Sequence, residues 1–113
     1  MKYTLDISPI VYRDLSQIEN YIALDKPSAA KKVVKRITTT IKLLPDAPFI
    51  SIELRKKFGI DTDLRGRIVS PHIIIHDVVG TRIKVYRVLD CRSDYLATLG
   101  FGAAIDNADD SDN

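Results

Sequence analysis

The chain has 113 residues, 45% of them hydrophobic, with a formal net charge of +2. That is enough for one domain with a real core and too little for two. A single cysteine and two histidines leave neither an internal disulfide nor paired Cys/His spacing for structural zinc, and no run approaches the roughly 18 apolar residues of a membrane span.

The first residues carry charges every few positions where a secretory signal would be apolar, which predicts a cytoplasmic protein. The stretch KYTLDIS alternates Tyr3, Leu5 and Ile7 with polar residues, the period of a half-buried strand. Ser8 then stands as N-cap candidate and Pro9 at the first helical position. Ile10, Val11, Leu15, Ile18, Tyr21 and Ile22 recur at three and four, so a helix follows that packs by one face. Asp25-Lys26-Pro27 breaks it. A second helix has Ala30, Val33, Val34, Ile37, Ile41 and Leu44 as its stripe and ends at Pro45. Lys31, Lys32, Lys35, Arg36 and Lys42 lie mostly off that stripe and read as a solvated outer face.

From Pro45 to Asp63 the pattern is irregular, with Pro48 and with Gly59 suited to a turn, and this expected loop carries Arg55-Lys56-Lys57. Three β-prone runs follow: DLRGRIVS, HIIIHDVV, and RIKVYRVL after a Gly80-Thr81 turn. Together these elements predict an α+β fold: an N-terminal strand, a helical hairpin, and a three-stranded antiparallel meander forming one sheet with the helices on one face. The first strand is expected to pair with the last, and RSDYLATL to close the domain as a short helix. Residues 1–100 form the expected domain. Residues 101–113 hold Asp106, Asp109, Asp110 and Asp112 and read as a disordered acidic tail. Without those four carboxylates the chain has 17 basic against 11 acidic residues, a field that favours polyanionic or acidic partners.

The order of these elements, with an LR start at Leu64-Arg65 and the ending RVLDCRSDY over residues 87–95, resembles the RelE/ParE superfamily of bacterial type II toxin–antitoxin toxins. Arg87, Val88, Leu89, Arg92, Asp94 and Tyr95 carry the match to that closing strand. His76 stands where many relatives end the middle strand with tyrosine, and Asp90 where they have histidine. The RelE branch implies ribosome-dependent, metal-independent cleavage of mRNA, with the RNA's 2′-hydroxyl as nucleophile and no cofactor. Such chemistry needs a group to take a proton, cations on the phosphorane, and a donor for the leaving oxygen. The resemblance and the chemistry of arginine assign Arg65 and Arg92 to the phosphate. His76 and Tyr95 are the candidate proton movers. Lys56, Lys57, Arg67 and His72 are the candidate RNA contacts. The residues alone leave His76 free simply to end a strand in water and Tyr95 to anchor the C-terminal turn.

Arg87 shares a strand face with Ile83, Val85 and Leu89, which predicts a partly buried salt bridge with Asp90, Asp94 or an acid on a helix. Cys91, without a histidine at telling spacing, reads as packing. The ParE branch implies the other outcome, a non-catalytic inhibitor that binds DNA gyrase, and an inactive relative that only binds its antitoxin is the third. All three imply a cognate antitoxin as partner, and none a membrane or small-molecule cofactor.

Overall fold

The computed structural model describes residues 2–101. The acidic stretch of residues 102–113 lies outside the described residues. β1 (Thr4–Ile7) leads through Ser8 and Pro9 into α1 (Pro9–Ala23). Ser8 holds the extended backbone of a cap and its carbonyl accepts from Val11 N–H at 2.9 Å, but its hydroxyl makes no cap bond. α2 (Pro27–Leu43) follows, again with proline in the first turn, and runs into a single 3-10 turn at Leu44–Asp46. Val11 and Leu15 turn inward on α1, with Ile18 half-buried. Tyr21, read as part of the same stripe, is 76% exposed, outside the core cluster that Val11, Leu15 and Ile18 join.

The strands are β2 (Ile52–Glu53), β3 (Arg65–Val69), β4 (His72–Val79) and β5 (Arg82–Asp90). They form one sheet in the order β1-β5-β4-β3-β2, in which β1 runs parallel to β5 and every other pair is antiparallel. The first strand therefore pairs with the last, as expected, and the pairing is parallel, across a connection far longer than the roughly dozen residues that a parallel crossover needs.

Two differences lie in the segment expected to be irregular. Ile52–Glu53 adds a short edge strand, and Leu54–Phe58 forms α3, a single helical turn closed by Gly59 at φ 67°. Leu54 and Phe58 are four apart, so one helical face presents both to the sheet, and complete burial of Leu54 contributes about 2 kcal/mol. The basic tripeptide thus sits on a helix. The C-terminal turn forms α4 (Tyr95–Thr98), where the Asp94 carboxylate accepts from the Ala97 N–H at 3.2 Å.

Alternation along β4 divides the core between two faces. Ile74 points with Ile83, Val85 and Val88 into the layer under α1 and α2, beside Ile37 and Ile41. Ile73 and Ile75 point the other way and pack with Leu54 and Leu96, ringed by Phe58, Leu89 and Phe101. The sheet is covered on both faces, and that decides which of its polar residues can meet solvent. No helix among the described residues is long and apolar enough to cross a membrane.

Candidate functional site

Arg87 is the most firmly placed charged residue. Its guanidinium donates to both carboxylate oxygens of Asp14 at 2.9 Å, and Asp14 also accepts the Val88 N–H at 2.9 Å. Asp14 is 4% exposed. The fork is two-pronged and the carboxylate takes a third donor, which is what a buried charge requires. The Asp14 bond raises the Arg87 pKa above its ordinary value. The salt bridge expected of Arg87 forms with the acid on the first helix.

Asp90 and Arg92 make a second pair at the end of β5. The Arg92 Nε and Nη2 donate at 2.9 and 2.7 Å to the two Asp90 oxygens, and the Arg92 N–H adds a third bond at 2.8 Å. The Arg92 bond holds the Asp90 carboxyl down to about 2. Between the two pairs lies a cleft of about 410 Å³, walled by Ile18, Val33 and Leu89 and edged by Tyr21 and His72. His72 is buried, its Nδ1 has no partner among the described residues, and burial lowers its pKa.

Arg65 belongs to a different place. On β3 it pairs across the sheet with His76, while Arg92 follows Asp90, which pairs with His72. Four residues of strand, roughly 13 Å, separate those two levels. The Arg65 guanidinium donates to the Ser51 hydroxyl at 2.8 Å and the Phe49 carbonyl at 3.0 Å, lies 3.9 Å from Glu53, and stacks 5.2 Å from the Phe49 ring centre. Its donors serve the loop that precedes β2.

His76 is fully buried, and neither ring nitrogen has a hydrogen-bond partner among the described residues. It follows an irregularity in the β4–β5 register and pairs with Val85, a member of the helix-side core. Burial first, then the charges of Arg65 and Arg67, pull its pKa down to about 4, so the ring is neutral at physiological pH. The sequence left His76 either catalytic or at a solvated strand end; the structure puts it inside, because the helical layer extends over its level of the sheet.

Tyr95 sits on α4 with its ring edge-on to Phe58 at 6.2 Å, and burial raises its pKa. Lys56 pairs with Glu53 at 3.0 Å, and the Lys57 ammonium stands 5.7 Å from the Phe58 ring centre. Arg67 is half-buried beside Leu43 and Ile50. Cys91 packs at the rim of the second core cluster, where burial raises its thiol pKa. The eight residues expected to act together are therefore distributed: Arg92 and His72 at the cleft, Arg65 and His76 along the strands toward the loop, Tyr95, Lys56 and Lys57 on the small helices, Arg67 near the end of α2. Sequence reasoning missed Asp14 as the partner of Arg87; its place beside Leu15 on the inward side of α1 was the available signal. Among the described residues no cluster of His, Cys, Asp or Glu could hold a metal ion.

A family model described as the ParE toxin of the type II toxin-antitoxin system parDE matches residues 5–95. Among solved structures, the chain is similar to a chromosomal ParDE toxin–antitoxin system from P. aeruginosa, with TM-score 0.66 and 18% identity over 79% of this chain and 96% of that one. It is also similar to a YoeB-YefM complex from Staphylococcus aureus, with TM-score 0.47 and 19% identity over 79% of this chain and 97% of that one. No curated protein matches.

Proposed function

Because the chain belongs to the ParE toxin family of type II toxin–antitoxin systems, within the RelE/ParE superfamily, we propose that it acts by binding rather than cutting: a non-catalytic inhibitor of DNA gyrase, neutralised by a cognate antitoxin. The observation that carries this reading is the burial of His76. RNA cleavage by the RelE route needs an accessible group to take the 2′ proton near cations free to meet the phosphorane. His76, the candidate closest to neutral pKa, has no exposed surface, and Arg65, its neighbour across the sheet, is committed to Ser51 and Phe49. Arg92 stands roughly 13 Å of strand away and is engaged by Asp90.

A binder needs exposed anchors instead. Tyr12, Tyr21 and Leu24 are 59%, 76% and 86% exposed along α1 and its turn, the kind of aromatic and aliphatic side chains that dominate protein interfaces. These are the contacts we assign to the target.

Induction in cells tests the reading. The expected outcome is SOS induction with gyrase cleavage complexes while translation continues, and an unchanged arrest in Arg92→Ala and Tyr95→Phe. Rapid loss of translation with mRNA cut within codons, abolished by those two substitutions, would establish the nuclease instead. Harmless induction would leave the inactive, antitoxin-binding relative.

A further inference from the structure

The pairs Arg87–Asp14 and Arg92–Asp90 both line the cleft of about 410 Å³, and they are built alike. In each, the guanidinium Nε and Nη2 donate to the two carboxylate oxygens, and a main-chain N–H, of Val88 or of Arg92, joins Nε on the same oxygen. A carboxylate so engaged has little acceptor capacity left. A guanidinium is not exhausted by these bonds, and among the described residues no hydrogen bond uses Nη1 of either arginine. The capacity left on the charged wall of the cleft is therefore donor capacity, presented as the second edge of a planar fork. That geometry suits an anion with two oxygens in one plane.

The rest of the wall is apolar. Ile18 and Ile22 come from α1, Val33 from α2 and Leu89 from β5, with the exposed Tyr21 among them. His72, paired with Asp90 across the strands, lines the same cleft; burial lowers its pKa and keeps it neutral near pH 7, so it adds no charge of its own. A volume of this size lies at the small end of ligand cavities, which span about 300–1,000 Å³. It has room for a fused ring system but not for a turn of helix, about 10 Å across with its side chains.

We propose that this cleft binds a small aromatic carboxylate, with its ring among Ile18, Val33 and Leu89 beside Tyr21 and its carboxylate on the open edges of Arg92 and Arg87. The inference stands apart from the gyrase-inhibitor reading, since it uses only the chemistry of the cleft. The ring exchanges water for apolar wall and an aromatic neighbour, and the carboxylate meets donors already held in place by Asp14 and Asp90. A nucleotide fits less well, because its ribose hydroxyls and base edges would face Ile18, Ile22 and Val33, which offer no hydrogen bond. A long acyl chain outruns the volume.

The test is an NMR titration of the full chain with 2-naphthoate at fixed ionic strength. Saturable shifts are expected in the Val33 and Leu89 methyls and in the His72 ring, with Ile73 on the opposite face unmoved, and with a dissociation constant of about 1 mM or tighter. 2-Naphthalenemethanol, the same ring without the charge, binds at least about tenfold more weakly. Arg92→Gln alone also bares the Asp90 carboxylate, so the deciding variant is Asp90→Asn/Arg92→Gln, which removes both charges; it too loses at least about tenfold, while an unmoved Ile73 shows that the fold is kept. Unchanged affinity in the double variant overturns the proposal. So does a loss in Arg92→Gln that the double variant restores, since repulsion by Asp90 would then explain it. Equal binding of the alcohol, tighter binding of octanoate or of AMP, shifts centred away from the cleft, or no saturation by about 10 mM overturns it as well.

Discussion

Asp14 and His76 show opposite solutions for a polar side chain inside the core. Asp14 accepts three hydrogen bonds, two from Arg87 and one from the Val88 backbone. Asp14→Ala leaves the Arg87 guanidinium, about a quarter exposed, without its partner and a main-chain N–H unpaired. We expect urea denaturation to give a loss of about 2–4 kcal/mol, toward the low end of the range for a broken buried pair because Arg87 can reach water. A loss under about 0.5 kcal/mol would mean the pair holds nothing together. His76 has no such partners, and its folded pKa lies near 4 against an ordinary 6.5. Between those values the unfolded chain binds more protons than the folded one. The contribution is therefore complete above about pH 6.5 and is lost as pH falls toward 4, roughly 3 kcal/mol in all. Burial lowers His72 in the same direction, while Asp90 acts at lower pH, between 3.8 and about 2. Stability measured from pH 7 to 4 should fall steeply in the native chain and much less in His76→Leu, which also removes two unbonded ring nitrogens. An equal slope in both would refute the assignment.

Among the elements, β3 is held where it is by the absence of a side chain. A Cβ on Gly66 would run into the Ile73 side chain, with Leu54 next to it. Both neighbours are fully buried, so neither can withdraw into solvent. Gly66→Ala should destabilise by about 1–3 kcal/mol through overpacking. Its signature is perturbation of the Ile73 and Leu54 methyl resonances, with the helix-side residues Ile37 and Ile41 unmoved; the reverse pattern would place the strain on the other face. α3 teaches the converse lesson. Its five residues would not hold a helix alone, and they do so because Leu54 and Phe58 dock on the sheet and Gly59 closes the turn. The spacing of four and the following glycine were readable, but nothing local said that a second apolar face was waiting for them.

At the scale of the molecule, one sheet carries two unequal coverings, a helical hairpin on one face and two short helices with Phe101 on the other. The strand, the two helices, the three later strands and the closing turn were legible in chain order, because periods of two and of three to four are local properties of the sequence. Arg87 was readable as a partly buried ion pair, but the strand face expected for it was not: the irregularity between Ile75 and His76 shifts the alternation along β5, so Ile83 and Val85 join the helix-side core and Leu89 the other one. The depth of His76 was not readable. It depends on the register irregularity at Ile75/His76 and on a helical layer from residues far earlier in the chain. Nor was the engagement of Arg65, whose partners Phe49 and Ser51 reach it from the loop before β2. Family resemblance put arginines, a histidine and a tyrosine into one expected site, since motif positions record which residues are present. Whether those side chains face one another, the core or water is set by which elements cross above them, and that is a matter of long-range packing that no window of the sequence contains.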